Sequence, residues 1–483
     1  MIAAVAAAAA IHTEAREARL LVADGSAIVA VAPDGARHPL IADADDAAYS
    51  PDGTLVAFAR GGDLWLANAD GSGQRRLAAT PNVSEWGVQW TPDGSSLIYT
   101  ASVGGNRQIR AFRLPTGPSL RIAASDGEEW GATVSPTGRL AFASNRDGAS
   151  AVYVAAANGT DAAPFSTTTA TDIHDLAWSP DDSRLAYSAA GAIVVDDGTT
   201  QTPLPAGVRP VWSPTGTRIA FEQRNELASV ALDGSDVRQL GAGVPLDWRV
   251  VPIGEPKFPN FVQRTPSGLV VMAGARGRWR LGFTSMIDNR GPGVLWLRGA
   301  RPARSHVMNV RQLVELKGGG VRALPEGGEL HYVVAPPHYH WHFLGFDRYE
   351  LRREGDLALL VRDHKTGFCT ADHWGQIAGM AHGPARFLGN CAQFERTARA
   401  VEEGTSVGYT DRYPAFFHGQ SLDVTKLTAG RYWLVHRANP DFHLRESRYG
   451  DNAASLLIQI AWPGGHRAPP RITTLRRCSS ERC

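Results

Sequence analysis

Ser50-Pro51-Asp52-Gly53 recurs along the first half of the chain as Thr91-Pro92-Asp93-Gly94, Ser135-Pro136-Thr137-Gly138, Ser179-Pro180-Asp181-Asp182 and Ser213-Pro214-Thr215-Gly216. The steps are 41, 44, 44 and 34 residues. Each tetrapeptide reads as a turn, because proline presets φ and Gly or Asp tolerates the positive φ that closes it. A short apolar strand is expected before each turn, as at residues 47–49 and 176–178, and an alternating strand after it, as at 55–59 and 185–188. A third strand and a polar turn follow, as in residues 64–67 before Asn68-Ala69-Asp70-Gly71. Alternation of period two between such turns predicts antiparallel β meanders.

Four-stranded units of this length have the size of propeller blades. The motif resembles the repeats of TolB-like, WD40-like propellers. Residues 19–43 carry late-blade strands with no early strand before them, and residues 244–251 read as an early strand with no sequel. A blade built from both ends would close a ring and remove its open sheet edges. The expectation is therefore a six-bladed β-propeller over residues 12–252, serving as scaffold or as recognition surface for a protein or polymer. Residues 1–11 are an alanine-rich leader without a basic start, readable as a signal-peptide remnant.

Composition agrees with a folded, turn-rich chain. Of 483 residues, 43% are hydrophobic and 20% charged, with Gly 51 and Pro 30, which excludes a mainly disordered chain and favours β structure. A net charge of +1 excludes the basic footprint of a nucleic-acid partner, and no apolar run reaches the ~20 residues that span a bilayer. Of 49 basic residues only Lys257, Lys317, Lys365 and Lys426 are lysine. Twelve of the 15 histidines follow residue 300, so titratable and metal-binding chemistry is sought in the second half.

Three prolines and a glycine in Pro252-Ile253-Gly254-Glu255-Pro256-Lys257-Phe258-Pro259 break both helix and ladder. The repeat stops there, so residues 253–256 read as a linker. From 257 to 465 the pattern is again of strands without long amphipathic helices, and a β-sandwich-like domain is expected, with 466–483 as a tail.

His338, His340 and His342 in Pro337-His338-Tyr339-His340-Trp341-His342-Phe343 stand two residues apart, which on a strand places them on one face. Three imidazoles on one face suit copper, zinc, nickel or iron, while Tyr339 and Trp341 pack on the other side. Gly404-Thr405-Ser406-Val407-Gly408 has the spacing of a hydrolase nucleophile elbow. It lacks the flanking apolar strand and helix, with charged residues 396–403 before it and Pro414 after it.

The histidine segment, with Phe346-Asp347-Arg348-Tyr349-Glu350-Leu351 after it, resembles the copper-binding segment of the lysyl oxidases. His364-Lys365-Thr366-Gly367-Phe368-Cys369 is similar to that family's next motif, and Gly408-Tyr409-Thr410-Asp411-Arg412-Tyr413, Leu422-Asp423-Val424-Thr425 and Glu446-Ser447-Arg448-Tyr449-Gly450-Asp451-Asn452 follow in the family's order. The resemblance covers residues 257–465. It implies a Cu(2+) amine oxidase whose lysine tyrosylquinone cofactor is made from Lys365 and Tyr413, Tyr409 being the rival tyrosine. A lysine suits that role because a neutral amine can add to a quinone ring and a guanidinium cannot. It further implies oxidation of a primary amine, peptidyl lysine in a protein or a small amine, to an aldehyde, with O2 consumed and ammonia and hydrogen peroxide released. Asp411, Asp363 and His418 are the candidates for the base, Asp411 foremost. Arg348 stands where the family has a further histidine. The resemblance places Cys369 in a disulfide-forming segment, with Cys391 as partner, and Cys478 with Cys483 would close a terminal loop. Paired cysteines imply a secreted or periplasmic, cell-envelope protein. The competing reading is an exported, non-enzymatic copper-binding or adhesion module.

Overall fold

The computed structural model describes residues 15–77, 82–166, 172–335, 338–363, 367–372, 374–415, 417 and 420–483, with the side chains of Glu326, Ala335 and His338 left aside. Among the described residues the fold is all-β, its one helical element being a 3-10 turn at Ala275–Gly277. The chain divides into two compact units, one from Glu14 to Ile253 and one from Gly254 to Cys483.

The first unit contains six four-stranded antiparallel sheets. Five are consecutive in sequence, the first of them running Asp46–Tyr49, Leu55–Arg60, Asp63–Asn68 and Arg75–Arg76. The sixth joins both ends of the unit: Val244–Pro252 pairs with Arg16–Asp24, in the register Leu20 to Trp248, followed by Ala27–Val31 and Arg37–Ala42. The first strand of each sheet touches the first strand of the next, in a closed circle through Asp46–Tyr49, Val83–Trp90, Glu129–Val134, Ile173–Trp178, Val208–Trp212 and Val244–Pro252.

The repeated tetrapeptide explains this regularity. The hydroxyl of each opening Ser or Thr accepts a backbone N–H at the start of the next strand, from Leu55 to Ser50 at 2.9 Å and at 3.0 Å from Ser96 to Thr91, Arg139 to Ser135, Arg184 to Ser179 and Arg218 to Ser213. Such a local bond satisfies a donor that burial would otherwise strand. Tryptophans stitch neighbouring sheets: the indole N–H of Trp90 donates to the Ala48 carbonyl at 3.0 Å, and that of Trp212 to Ala177 at 3.1 Å.

The second unit holds three sheets around one apolar core. One runs His338–Phe343, Val321–Ala335, Val307–Leu316, Leu295–Ala300 and Ala400–Thr405, with Pro256–Lys257 paired to Val307–Leu316. The second is centred on Trp279–Asn289, which pairs with Phe261–Gln263, Ser267–Ala273, Thr410–Tyr413 and Ser421–Asp423. The third is ordered Leu359–Arg362, Asp347–Arg353, Gly430–Ala438, Ala453–Ala461 and Arg471–Cys478. Phe283, Leu297, Trp341, Tyr349, Phe368, Tyr413 and Leu434 bring all three into contact.

The segment expected as a tail contains an edge strand, Arg471–Cys478. Its side chains are largely exposed, so it carries little of the burial pattern that sequence reading relies on, and backbone pairing to Ala453–Ala461 holds it. Two disulfides are present, Cys369–Cys391 and Cys478–Cys483.

Candidate metal and quinone site

The strand His338–Phe343 alternates as its sequence requires. Trp341 is buried in the core, edge-on to Tyr332 at 5.6 Å, and its backbone N–H donates to the Cys391 carbonyl at 3.0 Å. On the opposite face the rings of His340 and His342 lie 4.6 Å apart with their Nε2 atoms 2.7 Å from each other. Two Nε2 atoms so placed converge on one point. That is the donor set an imidazole-binding cation such as copper takes, so these residues fit the metal the sequence implies. His338 opens the same strand, and its side chain lies outside the described residues.

The strand continues into the region next to Lys365. Phe343 and Phe368 exchange backbone hydrogen bonds, 2.8 Å from the Phe343 N–H and 3.0 Å from the Phe368 N–H. Lys365 itself, with His364, lies outside the described residues, as does His418.

Tyr413 arrives from another sheet, on Thr410–Tyr413, with Ser285 of Trp279–Asn289 opposite it. It is 6% exposed, stands edge-on to Phe368 with ring centroids 4.8 Å apart, and donates its hydroxyl to the Cys369 carbonyl at 2.7 Å. Burial, with Asp411 and Glu403 adding to it, holds this phenol well above its ordinary range, so it is protonated at neutral pH. Asp411, two residues earlier on the same strand face, is buried and interacts with the Tyr413 side chain. Tyr409 goes elsewhere: its hydroxyl donates to Gly383 at 3.2 Å and its ring meets His382 at 5.9 Å. Asp363 donates its backbone N–H to Tyr349 at 3.0 Å.

Arg348 pairs with Asp441. The elbow-like serine, Ser406, is buried and donates to Asp372 at 2.6 Å while Asp372 also accepts the Ser406 N–H at 2.7 Å. That bonding makes it a loop anchor.

Sequence reading missed two groups. Glu403 is 1% exposed, and one carboxylate oxygen and the Sγ atoms of Cys369 and Cys391 lie within 4.8 Å of one another. The sulfurs are bonded to each other, so this trio is no open ligand set. Desolvation, then Asp411, raises the Glu403 carboxyl well above the usual range. The run of charges at 396–403 reads as a surface, but Glu403 is in phase with buried Val401 and Thr405, and that phase was the available signal. The second group is buried beside Tyr349: His436 Nε2 contacts Ser285 Oγ at 3.0 Å and also the Asp347 carboxylate. Serine and aspartate sharing one ring nitrogen is not the arrangement of a hydrolytic triad, where the acid takes the other nitrogen.

Residues 314–463 match the lysyl oxidase family model. The curated protein-lysine 6-oxidase of Rattus norvegicus is 28% identical over 130 residues, covering 27% of this chain and 28% of that protein. That of Sus scrofa is 28% identical, with 46% of its length covered, and that of Homo sapiens 29% identical over 132 residues, with 28% covered. The chain thus spans between a quarter and half of these relatives. The first unit has TolB-like propeller neighbours among solved structures. TolB from Acinetobacter baumannii is 19% identical, with a TM-score of 0.41 over 48% of this chain and 66% of that one. A nidogen/laminin complex chain is 11% identical, with a TM-score of 0.43 over 48% of this chain and 98% of that one.

Proposed function

We propose that the lysyl oxidase-like region is a copper- and quinone-dependent amine oxidase acting on primary amines, with peptidyl lysine as the preferred class. The single observation that carries this reading is the meeting of three separate motifs. The histidine strand, the segment that follows Lys365 and the strand bearing Tyr413 converge through the Phe343–Phe368 bridge and the Tyr413–Cys369 hydrogen bond.

In this reading His338, His340 and His342 hold Cu(2+), and Lys365 and Tyr413 form lysine tyrosylquinone. When present, the pair of groups supplies the electrophilic carbonyl and the path to O2 by which amines become aldehydes. The chain's own residues do the rest. The Cys369 carbonyl and the Phe368 edge fix the Tyr413 ring in one orientation. Asp411, on the same strand face, is read as the base that takes a proton from the Tyr413 side or from substrate. The buried surroundings keep bulk water from both.

The six sheets of the first unit are read as a six-bladed propeller that recruits or positions the target, and the three sheets of the second as a sandwich-like frame. Two disulfides favour a secreted or cell-envelope protein. Among the described residues no helix is long and apolar enough to cross a membrane.

Peptide mass mapping of copper-loaded, aerobically matured protein tests the reading. A covalent link between the fragments holding Lys365 and Tyr413 is expected. Copper bound with both residues unmodified would favour the copper-binding module instead.

A further inference from the structure

The Cys369–Cys391 bridge is asymmetric. Cys391 is buried at 2% exposure, whereas Cys369 is partly exposed. A buried carboxyl, that of Glu403, stands within 4.8 Å of both sulfurs. The bridge also touches both sides of the candidate site, since the Cys369 carbonyl accepts from Tyr413 and the Cys391 carbonyl from Trp341 of the histidine strand. By contrast Cys478–Cys483 closes a terminal loop whose Cys483 is exposed.

We propose that Cys369–Cys391 is a thiol–disulfide exchange site for a dithiol, with Glu403 as the proton donor to the departing Cys391 sulfur. A thiolate of the dithiol attacks Cys369 Sγ, the S–S bond breaks, and Cys391 leaves with the bonding pair and takes the Glu403 proton. The dithiol's second thiol returns a proton to Glu403 and, as thiolate, attacks the mixed disulfide. Cys369 leaves as thiolate and takes the proton released when the first thiol ionised. Two electrons and two protons pass in all: the dithiol is oxidised to a disulfide, and the protein bridge is reduced to two thiols.

The environment of Glu403 suits this role. Its cross-strand neighbour is Leu297, and the titratable groups facing it are Asp411 and Tyr413 of the strand Thr410–Tyr413, with Thr370 beside it. Desolvation and the Asp411 charge both favour its protonated form. A thiolate expelled into a buried site needs that proton more than one expelled into water. The inference is independent of amine oxidation, so either can fail alone.

The test is timed reduction of the full-length oxidised protein by dithiothreitol, quenched by alkylation and read by peptide mass mapping for both bridges. The Cys478–Cys483 rate reports the thiolate content of the reagent. Taken relative to it, the Cys369–Cys391 rate should fall about tenfold or more in Glu403→Gln at neutral pH. An unchanged ratio in the variant, or in the unaltered protein a Cys369–Cys391 bridge that stays closed while its counterpart opens, would each overturn the proposal.

Discussion

The hydroxyl of Tyr413 donates to the backbone carbonyl of Cys369 at 2.7 Å. This bond joins a strand of one sheet to the segment that leads away from Lys365, and the disulfide at Cys369 extends the connection to Cys391 and, through its carbonyl, to the histidine strand. A buried phenol needs a partner for its proton, and here the partner is a main-chain atom that no substitution of side chain removes.

Tyr413→Phe should leave copper binding intact and abolish amine-dependent peroxide release. It also removes one part-buried hydrogen bond to the Cys369 carbonyl, at a cost of about 1 kcal/mol. Peroxide assay and denaturant unfolding measure the two effects. Tyr409→Phe, which alters a bond to Gly383 instead, should retain activity.

His340→Ala and His342→Ala should each remove bound copper, because each deletes one of two converging Nε2 donors. Metal content after dialysis reads this directly. His382→Ala, a ring packed on Tyr409, should bind copper as the unaltered protein does.

Stability should depend on pH through Glu446. Its buried carboxyl accepts from the Phe261 N–H at 2.8 Å, from Asn439 Nδ2 at 2.8 Å and from Asn452 Nδ2 at 2.6 Å, yet burial, the largest effect, pushes it up to about 8. A carboxyl that binds its proton more tightly when folded favours the folded state most below its unfolded value of about 4.3. That advantage is lost as pH rises through about 8. Unfolding midpoints should therefore fall by the equivalent of a few kcal/mol over this window. Glu446→Gln should flatten that part of the profile.

Removal of residues 244–252 should destabilise the first unit and drive self-association, visible by light scattering. The deletion strips the inner strand from Arg16–Asp24 and opens a row of unpaired backbone groups. Deleting the largely exposed residues 471–477 should do less, since they sit at an existing edge.

Much of the first unit was legible because its information is local. The turn tetrapeptide carries its own bonds, from a Ser or Thr hydroxyl to an N–H four or five residues on, and strand alternation is a period-two signal. The histidine strand was legible for the same reason, since alternation alone sends Trp341 into the core and puts His340 and His342 on one face. Glu403 was less so, because its phase with Val401 and Thr405 hints at burial but a charged run gives no sign that a disulfide will stand beside it. The contact of Ser285 with His436 across 151 positions was not legible.

By its sequence alone, then, this protein is committed to β meanders, a split first sheet and a strand presenting imidazoles, all consequences of turn chemistry and residue period. Only the tertiary structure decides that Tyr413 rather than Tyr409 lies on Cys369, and that Glu403 is buried beside the bridge with its carboxyl pushed up by desolvation. Those outcomes depend on desolvation and on partners distant in the chain, and both arise when three sheets close on one core.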